Sequence, residues 1–111
     1  MRFLMYRFDD ESKPVPQLSK EQIEEMRTVT AEATKAGVLV FNGGIAPSAM
    51  GSKVTRANGE FTVTDGPFTE AKELVGGWAL VETRDKDEAI EWAKRLQNVA
   101  GDGEMRIRQV W

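Results

Sequence analysis

The run Asp65-Gly66-Pro67-Phe68-Thr69-Glu70-Ala71-Lys72-Glu73-Leu74-Val75-Gly76-Gly77-Trp78 gathers the residues of this chain best suited to chemistry. The sequence holds no histidine and no cysteine. That removes the commonest general base, the commonest metal ligand and all thiolate or disulfide chemistry. Acid–base work is left to carboxylates, to Lys72 or to Tyr6. Asp65, Glu70 and Glu73 lie close in sequence, and a pair of carboxylates at short range pushes one proton affinity upward. Lys72 would be their electrophilic or charge-stabilising partner. Gly66-Pro67 turns the chain sharply, because proline fixes its own φ and displaces the preceding residue from helical geometry. Gly76-Gly77 leaves room over a strand for a ligand. The candidate catalytic set is therefore Asp65, Lys72 and Glu73. Tyr6, Gly66, Pro67, Phe68, Glu70, Gly76, Gly77 and Trp78 form the candidate ligand-binding surface. The carboxylate spacing matches no known cation loop, so neither a metal nor a cofactor is expected.

Two other accounts use the same residues. In a structural one, Asp65 caps the turn and Lys72 pairs with Glu70 or Glu73. In a binding module, a cleft beside the loop holds a small molecule without transforming it. Carboxylates converging on a concave apolar pocket favour a site, and carboxylates pointing to solvent favour the structural account. A small-molecule site of unspecified chemistry is the reading adopted.

The elements that must position these residues follow from length and pattern. A chain of 111 residues has the common size of one domain, here residues 1–111, with enough core to fold without staples. Fifteen basic and 18 acidic residues are interspersed, giving a net charge of −3. That balance predicts no nucleic-acid or anionic-membrane partner. The first residues are too charged for a signal peptide, and no apolar run approaches the ~20 residues of a membrane span. A cytoplasmic protein is expected.

Arg2 to Phe8 reads as a strand apolar on both faces, with Leu4, Tyr6 and Phe8 on one and Phe3 and Met5 on the other. Asp9 to Leu18 reads as a loop. Ser19 to Gln22 is a capping box, followed by a helical stripe of Ile23, Met26, Val29 or Thr30, and Ala33, closed by Gly37. Val38 to Phe41 reads as a short buried strand, with Asn42-Gly43-Gly44 marking a bulge or a close backbone approach. Asn58-Gly59 is a two-residue hairpin turn. It pairs Ala57 with Glu60, Arg56 with Phe61, Thr55 with Thr62, and Val54 with Val63. Val75 to Thr83 is a further strand, and Asp85 to Glu88 a second capping box. Ala89, Trp92, Ala93 and Leu96 form the next buried stripe. Glu104 to Trp111 alternates as a last strand, with Met105, Ile107 and Trp111 on one face.

Without the hairpin the order is β-α-β-β-α-β, the ferredoxin-like antiparallel α+β pattern, in which Arg2–Phe8 and Val75–Thr83 take the centre of the sheet. Two helices cover one sheet face only. The apolar residues on the other face predict a homodimer that buries it.

The words Asp65-Gly66-Pro67-Phe68, Glu70-Ala71-Lys72-Glu73 and Gly76-Gly77, at fixed offsets, resemble the signature of the YCII-related family, in its DGPF branch. The likeness extends over almost the whole chain, including Ala36-Gly37-Val38-Leu39 and the Asp85 to Trp92 helix start. It implies a small ferredoxin-like protein that assembles as a dimeric α+β barrel, from a family whose activity is mostly unestablished. It also brings an alternative function, a ligand-binding or regulatory module associated with sigma-factor signalling. The His–Asp pair thought to act in the best-studied branch does not carry over, because this sequence has no histidine.

Overall fold

The computed structural model describes residues 1–10, 17–68 and 73–111. Along the chain run β1 (Arg2–Asp10), α1 (Lys20–Lys35), β2 (Leu39–Gly44), a 3-10 turn (Ser48–Met50), β3 (Ser52–Ala57), β4 (Glu60–Asp65), β5 (Glu73–Glu82), α2 (Lys86–Ala100) and β6 (Glu104–Val110). Four strands form one antiparallel sheet in the order β2-β5-β1-β6, and β3 and β4 form a separate ribbon. This is the expected ferredoxin-like α+β architecture with an inserted hairpin, and β1 and β5 are the two central strands.

Local signals account for most element boundaries. The Ser19 hydroxyl accepts from the Gln22 amide, and the Gln22 side chain accepts from the Ser19 amide, completing the box that starts α1. Asp85 caps α2 through the Glu88 amide at 2.9 Å. The second box is only half formed, because the Glu88 carboxylate is drawn instead to Arg84, four residues earlier, at 2.5 Å. The hairpin has the register read from Asn58-Gly59, pair for pair, with both turn residues at positive φ.

The core lies between the sheet and the two helices. Phe3, Met5, Ala79 and Val81 fill the inward face of the central strands, under Ala33, Ala89 and Ala93. The alanines let the helices approach closely, so the few large side chains supply most of the packed volume. Val38 is buried, but Val40 and Phe41 are exposed, against the expectation of a buried strand. The run falls on an edge strand, its register slips between Leu39 and Phe41, and the helices cover only the inward side. Ile23 is likewise more exposed than its place in the helical stripe predicts. Trp111 lies beyond the end of β6 and is exposed rather than sharing the Met105–Ile107 face.

The hairpin projects from this body. The radius of gyration is 16.2 Å, against about 13 Å for a compact chain of this length. Val54, Phe61 and Val63, which share one face of the ribbon, are all about two-thirds exposed. At the far end of the sheet Arg2 Nε donates to Glu82 Oε2 at 2.7 Å, which holds that carboxyl below its usual value. Whatever stability the pair adds is present near neutral pH and is lost on acidification, as the depressed carboxyl takes up its proton.

Candidate functional site

The paired central strands carry a defect where the chemistry-bearing run enters the sheet. Tyr6 opposes Trp78, yet Phe8 opposes Val75, so Arg7 faces two residues, Gly76 and Gly77. This is a β-bulge, which bends a strand and re-aims nearby side chains. A Cβ added at Gly77 would meet nothing within 4 Å, and one at Gly76 would lie 3.7 Å from Asp9 Oδ2. The bulge therefore opens space instead of filling it.

That space is a cavity of about 370 Å³ between the helices and the sheet. Met5 and Ala79 face it from the strands, and Met26, Trp92 and Leu96 from the helices. Arg7, Asp9, Asn42 and the two bulge glycines line it as well, so an apolar chamber has a small set of polar groups. A concave, mostly apolar space with a few fixed polar groups is the usual form of a small-molecule site.

Arg7 is the best-anchored of those groups. Its Nη1 donates to Gln97 Oε1 at 2.9 Å and to the Gly101 carbonyl at 3.1 Å, and its Nη2 donates to the Asp102 carbonyl. Its Nε lies 3.6 Å from Asp9 Oδ1. The side chain thus ties β1 to the turn that follows α2. Asp9 Oδ2 has no hydrogen-bond partner among the described residues.

Tyr6 and Trp78 belong to the opposite, open face of the sheet, with Leu4, Phe8, Ile45 and Arg108. Trp78 also borders the helix-side cavity. Its indole lies across Gly43, where an added Cβ would sit 3.0 Å from Trp78 Cζ2, and 5.7 Å from the Phe41 ring. Phe8 carries the Arg106 guanidinium 3.8 Å above its ring. Among the described residues no helix covers this face.

The Asp65–Phe68 segment lies against a third part of the molecule. Asp65 Oδ1 accepts from Ser52 Oγ at 2.7 Å. The Gly66 amide donates to the Gly51 carbonyl at 2.9 Å, and the Phe68 amide to Ser48 Oγ at 3.3 Å. Lys53 Nζ lies 5.9 Å from the Phe68 ring centroid. The Gly66-Pro67 peptide is cis, and Pro67 is exposed. None of Asp65 to Phe68 lines either of the two spaces. Glu70 and Lys72 lie outside the described residues. Glu73 is described only through its pairing with Asp10, so the expected meeting of Asp65, Lys72 and Glu73 also lies outside them. Among the described residues no three Asp or Glu side chains converge.

Gly66 is the tightest point of this clasp, since a Cβ there would overlap the Ser48 carbonyl. Gly66→Ala should force the segment off the 3-10 turn at a cost of about 1–2 kcal/mol, the range for local overpacking that is relieved by a shift of surface backbone. Amide exchange should quicken at residues 48–68 and stay unchanged in β1 and α2. Protection lost throughout the sheet would instead place the clasp within the cooperative core.

Arg7, Asp9 and Asn42 are the site residues that the sequence motif does not reach. One signal for Arg7 exists in the sequence. It follows Phe3 and Met5 at the inward parity of a strand that is otherwise buried on that side.

Comparisons with known proteins agree with the architecture. The whole chain, residues 1–111, matches the YCII-related domain, and the protein belongs to that family. It is similar to an uncharacterized protein of Rhizobium meliloti (strain 1021), 31% identical over 101 residues, which span 88% of this chain and 82% of that protein. Among solved structures it resembles a 5-chloro-2-hydroxyhydroquinone dehydrochlorinase from Burkholderia phenoliruptrix AC1100, in complex with 2,5-dihydroxybenzoquinone. The TM-score is 0.51 at 16% identity, over 100% of this chain and 94% of the other, a likeness of fold. Among the described residues no helix is long and apolar enough to cross a membrane.

Proposed function

We propose that this chain is a DGPF-branch member of its family that binds a small, largely apolar molecule in the helix–sheet cavity and works as a homodimer. The observation that carries the reading is the cavity itself, opened by the Gly76-Gly77 bulge and furnished with Arg7, Asp9 and Asn42. Gly76, Gly77 and Trp78 serve as ligand contacts. Asp65 to Phe68 act as a clasp on the 3-10 turn and the start of β3, with the Asp65 carboxylate engaged by Ser52. Among the described residues Asp9 is the lining carboxylate, so it is the group there on which catalysis would turn. Catalysis is in keeping with a fold that a dehydrochlorinase also uses. The competing reading is a ligand sensor that holds its molecule in the same cavity without transforming it.

Trp78 and Trp92 border the cavity, so occupancy should change the tryptophan emission. A panel of small aromatic compounds should yield saturable quenching in the native protein. Thr30→Phe, which places a ring in the cavity, should abolish it while the fold is retained. A panel without any saturable binder would overturn the reading. Mass spectrometry of the bound compound after incubation separates a catalyst from a sensor.

The dimer is supported by the open sheet face, where Leu4, Tyr6, Phe8 and Trp78 meet the exposed Phe41 and Ile45. A second copy with the same face, related by a twofold axis, covers it with matching chemistry. Light scattering at micromolar concentration should return twice the 12.4 kDa chain mass. A monomer at that concentration would remove the dimer from the proposal.

A further inference from the structure

We infer that the cavity selects an uncharged ring compound bearing a hydroxyl donor and rejects the corresponding carboxylate; this rests on the cavity being the ligand site. The apolar part of the lining points to a ring. Met26 and Met105 present thioethers, and Trp92 an aromatic surface, groups that pack well against flat, polarisable ligands.

Charge decides the rest. Among the described residues Arg7 is the lining cation, and an isolated arginine would favour an anionic ligand. Here both Nη1 hydrogens are taken by Gln97 and Gly101, Nη2 donates to Asp102, and Nε faces the Asp9 carboxylate. Most of the guanidinium's donors are engaged by the protein, a single Nη2 hydrogen is left over, and Asp9 balances the charge. A carboxylate entering the chamber would meet the Asp9 charge without a bidentate partner to offset it.

Asp9 makes the opposite demand. An ionised carboxylate accepts hydrogen bonds and donates none. Oδ1 is turned to Arg7, whereas Oδ2 lies beside Gly76, has no partner among the described residues and belongs to a side chain that lines the cavity. A ligand hydroxyl satisfies it. Asn42, able to donate and to accept, gives a second polar contact for an oxygen on the same ring. Thr30 adds nothing here, because its hydroxyl is bonded to the Met26 and Arg27 carbonyls.

The probes are 2-naphthol, 2-naphthoate and naphthalene, titrated calorimetrically at neutral pH against the native protein and Asp9→Asn. The naphthol should bind about tenfold or more tightly than the naphthoate, since a like charge at close range is costly. It should also bind several-fold more tightly than naphthalene. In Asp9→Asn the repulsion is gone and the Arg7 charge is unbalanced, so naphthoate should tighten and the preference should shrink to about threefold or less. Circular dichroism confirms that the variant is folded, and the comparison within the native protein stands without it. Equal binding of naphthol and naphthoate by the native protein would overturn the inference and leave the site intact. A preference that persists unchanged in Asp9→Asn would also overturn it. If none of the three compounds binds, the inference falls together with the site.

Discussion

Replacing Phe3 with alanine is expected to cost about 3–5 kcal/mol, the range for removing a fully packed aromatic ring. Phe3 is 2% exposed and sits on a central strand, opposite Val81 on β5 and Gln109 on β6. The neighbouring helix positions are Ala33, Ala89 and Ala93, which have no spare volume to swing into the void. The hole left behind cannot collapse without moving a helix, and that places the cost towards the upper end. Domains of this size are stable by only about 5–15 kcal/mol, so the variant should lose a large share of its margin. Thermal melts should fall by on the order of 10 °C or more. Phe3→Leu, which keeps most of the volume, should lose well under half as much. A melt for Phe3→Ala within a degree or two of the native value would mean that the core is loosely packed and that its alanines do not set the helix spacing.

The two kinds of information in this chain were unequally legible. Where a signal is local, residue types were enough. Ser19 with Gln22 starts α1, Asn58-Gly59 sets every pair of the hairpin, and the alternation of Phe3 and Met5 marks the inward face of β1. Where the outcome depends on a distant partner, they were not. The run Val38 to Phe41 looks the same whether its strand is central or at an edge, and only the order β2-β5-β1-β6 exposes Val40 and Phe41. Glu88 has the right spacing for a capping box but finds Arg84 first. The site followed the same division. Gly76-Gly77 was readable as a place that leaves room over a strand, but the bulge there depends on the register of β5 against β1 and was not. Arg7 was not, because its partners Gln97, Gly101 and Asp102 lie at the other end of the chain. Nor does the motif word Asp65 to Phe68 announce that its contacts are Ser48, Gly51 and Ser52, which resemble any other residues of a polar turn.

Arg7→Met is expected to cost about 2–3 kcal/mol, through lost charge-assisted hydrogen bonds and an orphaned carboxylate more than through lost packing. Methionine keeps the apolar stem and much of the volume, so the substitution isolates the guanidinium. Its side chain is 15% exposed, and that of Asp9 is 32% exposed. A fully buried pair broken on one side would lose more, but Asp9 retains enough contact with water to blunt the penalty. The Gly101 and Asp102 carbonyls are exposed and can turn to solvent, whereas Gln97 and the cavity-lining Asp9 each lose a partner. Two consequences follow from this division. Amide exchange should quicken over residues 97–103, where the turn after α2 loses its tie to β1, and should change little in the hairpin. The double variant Arg7→Met, Asp9→Leu should recover about 1 kcal/mol relative to Arg7→Met alone, since the uncompensated charge is then gone. Arg7→Lys should fall short of full rescue, because an ammonium cannot hold Gln97, Gly101 and Asp102 in one plane. If Arg7→Met costs less than about 0.5 kcal/mol, the pair behaves as an ordinary surface ion pair. Arg7 would then not be what fixes Asp9 in the cavity lining.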